Sequence, residues 1–207
     1  MFVHDLSPDN AFLPEDWETL WPIVEKGAFP ALTRLREEGT LDGWGMGVNC
    51  PQPILKCLEV ADSDVHLLAS QYSLIDHANA VEQVFPKARD AGVSFVMGSS
   101  LNAGFLGGAG RYNYGEENTL IAADKRDKLA KLRTVAEQHG VDLVAASLQF
   151  SLATDVASAL IVGTANHDHI LADHSALHAK IPEESWQELM VDGRIDPNAA
   201  VPAGTDS

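Results

Sequence analysis

The sequence predicts an α/β protein built on a parallel sheet, and three observations carry that prediction. Short apolar segments alternate with helical ones in the order strand, helix, strand, helix, five times over. Short apolar strands that are each separated by a helix pair in parallel, because a parallel neighbour is reached only through a crossover. No Gly-, Pro- or Ser-rich linker and no shift in composition divides the 207 residues, so one domain is expected. Two architectures satisfy this pattern: an open doubly wound sheet, or part of an eightfold βα barrel.

The elements follow in chain order. In the opening MFVHD, Phe2 and Val3 read as the last residues of a buried strand that ends at His4 and Asp5, before Pro8 breaks the pattern. PEDWETLWPIVEKGAF (14–29) and PALTRLREEG (30–39) read as helices, with Pro14 and Pro30 at their starts, Gly39 at a stop, and Leu32 and Leu35 on an apolar stripe. GWGMGVN (43–49) is a glycine-spaced run ending in Asn49, and a helix is expected from Pro51 to Val60. DVHLLAS (64–70) is a strand, with His66 expected as a satisfied core histidine. DHANAVEQVFPKARDAG (76–92) is helical, with Pro86 expected to kink or divide it. VSFVMGS (93–99), β-branched and aromatic, is the clearest strand and leads into the glycine-rich SSLNAGFLGGAG. Helices are expected over 123–139 and 141–153, a strand at ASALIVG (157–163), and helices at 167–179 and 182–190. Pro182 and two acids suit the entry to the last of these. GRIDPNAAVPAGTDS (193–207) is polar, contains two prolines and is expected to drape over the surface or fray.

Composition narrows the function classes. The net charge of -16 argues against nucleic acid or an anionic membrane as partner, since a polyanion repels phosphate at long range. No apolar run is long enough to span a bilayer, and no basic flank followed by an apolar stretch marks a secretory leader. Two cysteines, Cys50 and Cys57, do not make a disulfide scaffold. Free thiols and a cytoplasmic location are expected, with Cys50 packed and inert.

In either parallel architecture ligands gather at the C-terminal ends of the strands. Those ends are His4-Asp5, Asn49-Cys50, Ser70-Gln71, Ser99 to Asn102 and Gly163 to Asn166, all small or polar with one imidazole among them. SSLNAGFLGGAG offers hydroxyls, an amide and a bare backbone. GTANHDH passes from a strand into a helix whose free N–H groups suit an anion. His4 stands where a general acid or proton donor is useful near neutral pH. His174 and His178 lie four apart on one helix face, but a metal needs a third and fourth ligand, and no metal is expected.

Five segments, VHD, LREEGTLDGWGMGVN, SQYSLID, VMGSSLNAGFLGG and LIVGTANHDHILADHSAL, resemble successive segments of the aldo/keto reductase family. The closing SWQELMVDGRIDPNAAVP is similar to the end of the branch that contains aldose, fucose and galactose dehydrogenases and pyridoxal 4-dehydrogenase. The resemblance runs from residue 1 to about residue 202.

It implies a partial (β/α)8 barrel comprising strands four to eight with their helices. Residues 1–193 would form the truncated barrel domain and 194–207 a C-terminal tail. The first three βα units would be absent, and with them the family's aspartate, proton-donating tyrosine and lysine. Tyr72, Tyr112 and Tyr114 do not correspond to that tyrosine. A five-strand arc of this kind leaves open edges and an uncovered apolar interior.

By the same resemblance, His4 matches the histidine that orients and polarises the substrate carbonyl, and Asn49 the residue that holds the nicotinamide amide. Ser99, Leu101 and Asn102 match the loop lining the cofactor. Gly163, Ala165, His169 and Asp173 match the segment that holds the adenosine end. Ala165, His169 and Asp173 stand where the family often carries a basic residue, Gln or Arg, and Asn, with Asp168 close by. A 2′-phosphate there meets a carboxylate and no fixed cation, a repulsion of about 1 kcal/mol or more at 4 Å, so NAD is favoured over NADP. The implied function is NAD(P)-dependent oxidation or reduction of an aldose, aldehyde or pyridoxal-like substrate, by a chain expected to be inactive alone. The alternative is a non-catalytic nucleotide-binding or regulatory remnant. Oligomeric state is not legible.

Overall fold

The computed structural model describes residues 1–113, the backbone of 116–117, and residues 121–164 and 166–203; Tyr114 and Ala165 lie outside the described residues. Five strands, β1 (Phe2–His4), β2 (Gly45–Val48), β3 (Val65–Ala69), β4 (Ser94–Gly98) and β7 (Ala157–Ile161), form a parallel sheet in the order β1-β2-β3-β4-β7. The order follows the chain without reversal, so these strands lack the switch point of a doubly wound sheet. A small antiparallel pair, β5 (Arg111–Tyr112) and β6 (Glu116–Glu117), lies in the segment after β4.

Helices cross between successive strands. The first crossover is a single helical run, α1 (Trp17–Ile23) and α2 (Phe29–Glu37), joined by a π-turn at Val24–Ala28. It starts at Asp16, whose side chain accepts from the Glu18 amide at 2.9 Å, so Pro14 lies ahead of the helix. After β2 comes α3 (Pro51–Val60). A second π-turn, Ala80–Val84, leads into α4 (Phe85–Ala91) after β3. Both π-turns sit immediately before a Phe-Pro pair, Phe29-Pro30 and Phe85-Pro86. Widening the turn to i→i+5 moves the backbone carbonyl that a proline ring would strike and absorbs the missing N–H. Pro86 therefore divides its helix without breaking it, and Pro30 does the same. Between β4 and β7 lie α5 (Ala123–Gln138) and α6 (Leu143–Leu152); α7 (His167–Ala176) and α8 (Glu183–Val191) follow β7.

The core surrounds the three interior strands, β2, β3 and β4, and takes in α6. β2 is buried along its whole length. Phe95 and Met97 of β4 are fully buried, as are Leu148 and Phe150 of α6. His66 is a fully buried histidine with both ring nitrogens partnered: Nδ1 accepts the Met46 amide at 2.9 Å, and Nε2 lies 3.1 Å from the Ser63 hydroxyl. Burial holds its pKa down at about 4, so it is neutral at pH 7.

The edges are different. In β7 Ser158, Ala159 and Ile161 are exposed, Ile161 by 51 %, and α7 exposes Ile170 and Leu171 by 45 % and 66 %. Segment 194–203 carries no helix or strand, yet it buries Ile195 and Ala199.

Candidate functional site

Parallel strands present all their C-terminal ends at one edge, and the order β1-β2-β3-β4-β7 lines those ends up as His4, Asn49, Ser70, Ser99 and Gly163. His4 closes β1 with its side chain 70 % exposed and its Nδ1 3.1 Å from the Asp5 carboxylate. Asp5 adopts a left-handed φ of 53°, which turns the chain abruptly out of the strand. In register, His4 faces Gly47. A Cβ at Gly47 would come within 3.3 Å of the imidazole Cδ2, so glycine there lets the ring lie close over β2.

Asn49 is half-buried directly after β2. The Ser7 hydroxyl donates to the Asp9 carboxylate, and Asn49 and Cys50 stand beside it. Burial alone would raise the Asp9 pKa, but the polar hydrogens of Ser7, Cys50 and Asn49 around it hold it below the usual carboxylate range. Partial burial and the Asp9 charge push the Cys50 thiol up to about 11. Asp9 and Ser7 belong to the site's framework although strand-end reasoning passed over them; they come from the loop after β1, and only the fold brings that loop to the end of β2.

The segment after β4 is the most elaborate. Ser99, Asn102, Ala103 and Gly104 all take positive φ, which winds the chain into a compact coil closed by the Asn102 N–H to Ser99 carbonyl bond at 2.8 Å. Leu101 packs against the core, half-buried. Asn102 is fully buried; its Nδ2 donates to Asn113 Oδ1 at 3.2 Å and to Asp76 Oδ2 at 3.4 Å. Asp76, from the loop after β3, also accepts from the Tyr112 hydroxyl and the Lys125 ammonium. Asp76, Tyr112 and Lys125 thus form a polar brace around Asn102, which single-segment reading missed because they lie 10 to 26 positions from it in sequence. The one trace in the sequence is that Asp76 follows the apolar run Leu74-Ile75 on the strand-end side. Among the described residues, three polar atoms in this region are buried without a protein partner: Ser70 Oγ, Ser100 Oγ and Asn102 Oδ1.

Gly163 and His169 are exposed beyond β7, and Asp173 is half-buried on α7. Asn166 caps α7, its side chain accepting from the Asp168 amide at 3.0 Å. Thr164 Oγ1 lies 3.2 Å from His169 Nδ1. Among the described residues of 163–178 there is no lysine or arginine. His174 and His178 stack edge to face at 5.1 Å, and no group of three or more His, Cys, Asp or Glu among the described residues is arranged to hold a metal. No helix among the described residues is long and apolar enough to cross a membrane.

Comparison with known proteins bears on this edge. The family model described as the aldo/keto reductase family matches residues 2–190. The chain is 32 % identical over 200 residues to the pyridoxal 4-dehydrogenase of Microbacterium luteolum, covering 94 % of this chain and 56 % of the relative. It is 28 % identical over 167 residues to the D-threo-aldose 1-dehydrogenase of a Pseudomonas species, covering 78 % and 49 %. The chain therefore spans about half the length of the curated relatives it matches. Among solved structures, the holo form of aldo-keto reductase AKR11C1 from Bacillus halodurans aligns with a TM-score of 0.60 at 23 % identity, over 88 % of this chain and 58 % of that one. A family match over nearly the whole chain and a parallel sheet whose strand ends meet at one edge lead to the same assignment: the chain belongs to the aldo/keto reductase family.

Proposed function

We propose that this chain forms part of an NAD(P)-dependent oxidoreductase, and that its five strands are a contiguous arc, strands four to eight, of a (β/α)8 barrel. The unreversed strand order supports the arc, as does the roughly half-length match to relatives. Residues 1–193 are its barrel portion and 194–207 its terminal segment.

The observation that carries the reading is the edge itself: His4, Asn49, the Ser99 to Asn102 coil and Gly163 stand at adjacent strand ends. Buried orphan atoms on Ser70, Ser100 and Asn102 offer unmet donors and acceptors to a polar guest, so the residues present fit a dinucleotide. When bound, the nicotinamide dinucleotide supplies the hydride chemistry. Asn49 would hold the nicotinamide amide, and Ser99, Leu101 and Asn102 would line the cofactor near its reacting end. Gly163, Ala165, His169 and Asp173 receive the adenosine end. His4 orients and polarises the carbonyl of an aldose, aldehyde or pyridoxal-like substrate. With Asp168 and Asp173 on α7 and no fixed cation among the described residues beside them, NAD is preferred over NADP.

A second reading, nucleotide binding without turnover, is favoured by the surroundings of His4. Its Nδ1 lies beside the Asp5 carboxylate, whereas the hydroxyls of Tyr72 and Tyr112 go to the Ala200 carbonyl and the Asp76 carboxylate. Calorimetric titration with NAD⁺ and NADP⁺, paired with a turnover assay on aldoses and pyridoxal, tests both readings. Tighter NAD⁺ binding is expected, with no turnover by the 207-residue chain alone. Equal or tighter NADP⁺ binding overturns the preference, turnover removes the second reading, and no binding of either nucleotide overturns both readings.

A further inference from the structure

His77 closes the loop that follows β3 and is 5 % exposed. Its Nδ1 lies 2.8 Å from the Ser73 carbonyl oxygen, and its Nε2 accepts the backbone N–H of Asp196 at 3.0 Å. The second bond fixes the tautomer. An amide N–H only donates, so Nε2 carries the lone pair and the ring proton sits on Nδ1, donating to Ser73. The ring edge rests on Phe150 at 5.2 Å, which holds the imidazole plane in place.

What this bond ties down is segment 194–203. The start of the segment is also bonded to α8, Arg194 N–H and Ile195 N–H donating to the Leu189 carbonyl at 2.8 and 3.1 Å, and beyond Asp196 the segment is held by the burial of Ala199, the packing of Val201 and a long hydrogen bond, 3.4 Å, from the Tyr72 hydroxyl to the Ala200 carbonyl. Asn198 and Ala200 also form one wall of a cleft of about 290 Å³, whose other walls include Tyr72, Phe85, Arg89 and Thr154.

We infer that His77 is an acid-sensitive latch: a proton on Nε2 replaces the acceptor of the Asp196 amide with an opposing donor, and segment 194–203 lifts from the β3 loop, opening the cleft. Lys125 and Lys128 of α5 face the ring and oppose the imidazolium, and Asp196 on the segment favours it. Asp76, adjacent on the same loop, is engaged by Lys125; Phe150 of α6 carries no charge. Burial, then the Lys128 charge, hold the His77 pKa down at about 4, so the latch is shut at neutral pH. This inference does not depend on nucleotide binding or catalysis.

The test is nuclear magnetic resonance of the full 207-residue chain from pH 7.5 to 4.5. At pH 7.5 the ring ¹⁵N shifts should report the Nδ1–H tautomer. Between pH 6.5 and 4.5 the protection factor of the Asp196 amide should fall at least tenfold while the Phe95 amide, bonded to Val156 in the sheet at 2.7 Å, stays protected. His77→Phe keeps the ring contact and removes the acceptor, so Asp196 should be unprotected in it at both pH values. An Nε2–H tautomer, an Asp196 amide equally protected at both pH values, or loss only together with Phe95 overturns the latch. If the variant does not fold, the titration of the unmodified chain still decides.

Discussion

The carbonyl oxygen of Val65 occupies the place where a side chain on Gly45 would begin: a Cβ there falls 1.9 Å from it. The contact explains the glycine at the head of β2. Strand β3 runs so close that the Met46 amide bonds to the His66 ring, and only a residue with no Cβ fits between. Gly45→Ala must push apart two central strands and is expected to destabilise the fold by about 3 kcal/mol or prevent folding. Gly27→Ala, where nothing lies within 4 Å of the new Cβ, should be neutral or stabilising by about 0.5 kcal/mol. Urea unfolding of the two variants checks the contrast.

Two buried histidines make stability depend on pH. His66 and His77 both have folded pKa values near 4, below the ordinary 6.5, so between these values the unfolded chain binds more protons. Stability is therefore fully present above pH 6.5 and is lost as pH falls toward 4, by on the order of 2 kcal/mol for each histidine. Urea midpoints at pH 7.5, 5.5 and 4.5 should fall in that order.

The thiols should be sluggish. With the Cys50 pKa near 11 and that of fully buried Cys57 near 12, the reactive thiolate is scarce at pH 8, about a hundredfold less for Cys50 and about a thousandfold less for Cys57 than for a free cysteine. Iodoacetamide should modify native Cys50 slowly, Cys57 more slowly still, and both readily after unfolding. Fast alkylation of native Cys50 would contradict the framework drawn around Asp9.

Open edges invite association. β7 exposes Ile161, and α7 exposes Ile170 and Leu171. Unpaired N–H and C=O groups beside apolar side chains recruit other chains. Ile161→Lys with Leu171→Glu is expected to lower light scattering at high concentration while changing the unfolding midpoint little.

The legibility of the fold in the sequence varied with the range of the forces involved. α3 begins and ends where the sequence puts it, because Pro51 and the apolar positions of its own ten residues define it. Pro86 announced a divided helix and Pro30 the start of a separate one, but the π-turns that carry the helical run through both depend on the backbone continuing past the proline, which no local pattern encodes. His66 in the core was readable from its place in an apolar strand. The β5–β6 pair was not, since two-residue strands have no periodicity. Strand-end residues were readable as a class. Their surroundings were not: Asn102 is buried by Asp76, Tyr112 and Asn113, and Asn49 is tied to Asp9, partners supplied by other loops.

The most direct measurement for the central claim is amide shift mapping of the ¹⁵N-labelled chain during titration with NAD⁺. The account predicts saturable shifts grouped at Asn49, Ser99 to Asn102 and Gly163 to Asp173, along the C-terminal edge of the sheet. Shifts confined to other surfaces, or none at millimolar NAD⁺, would contradict it.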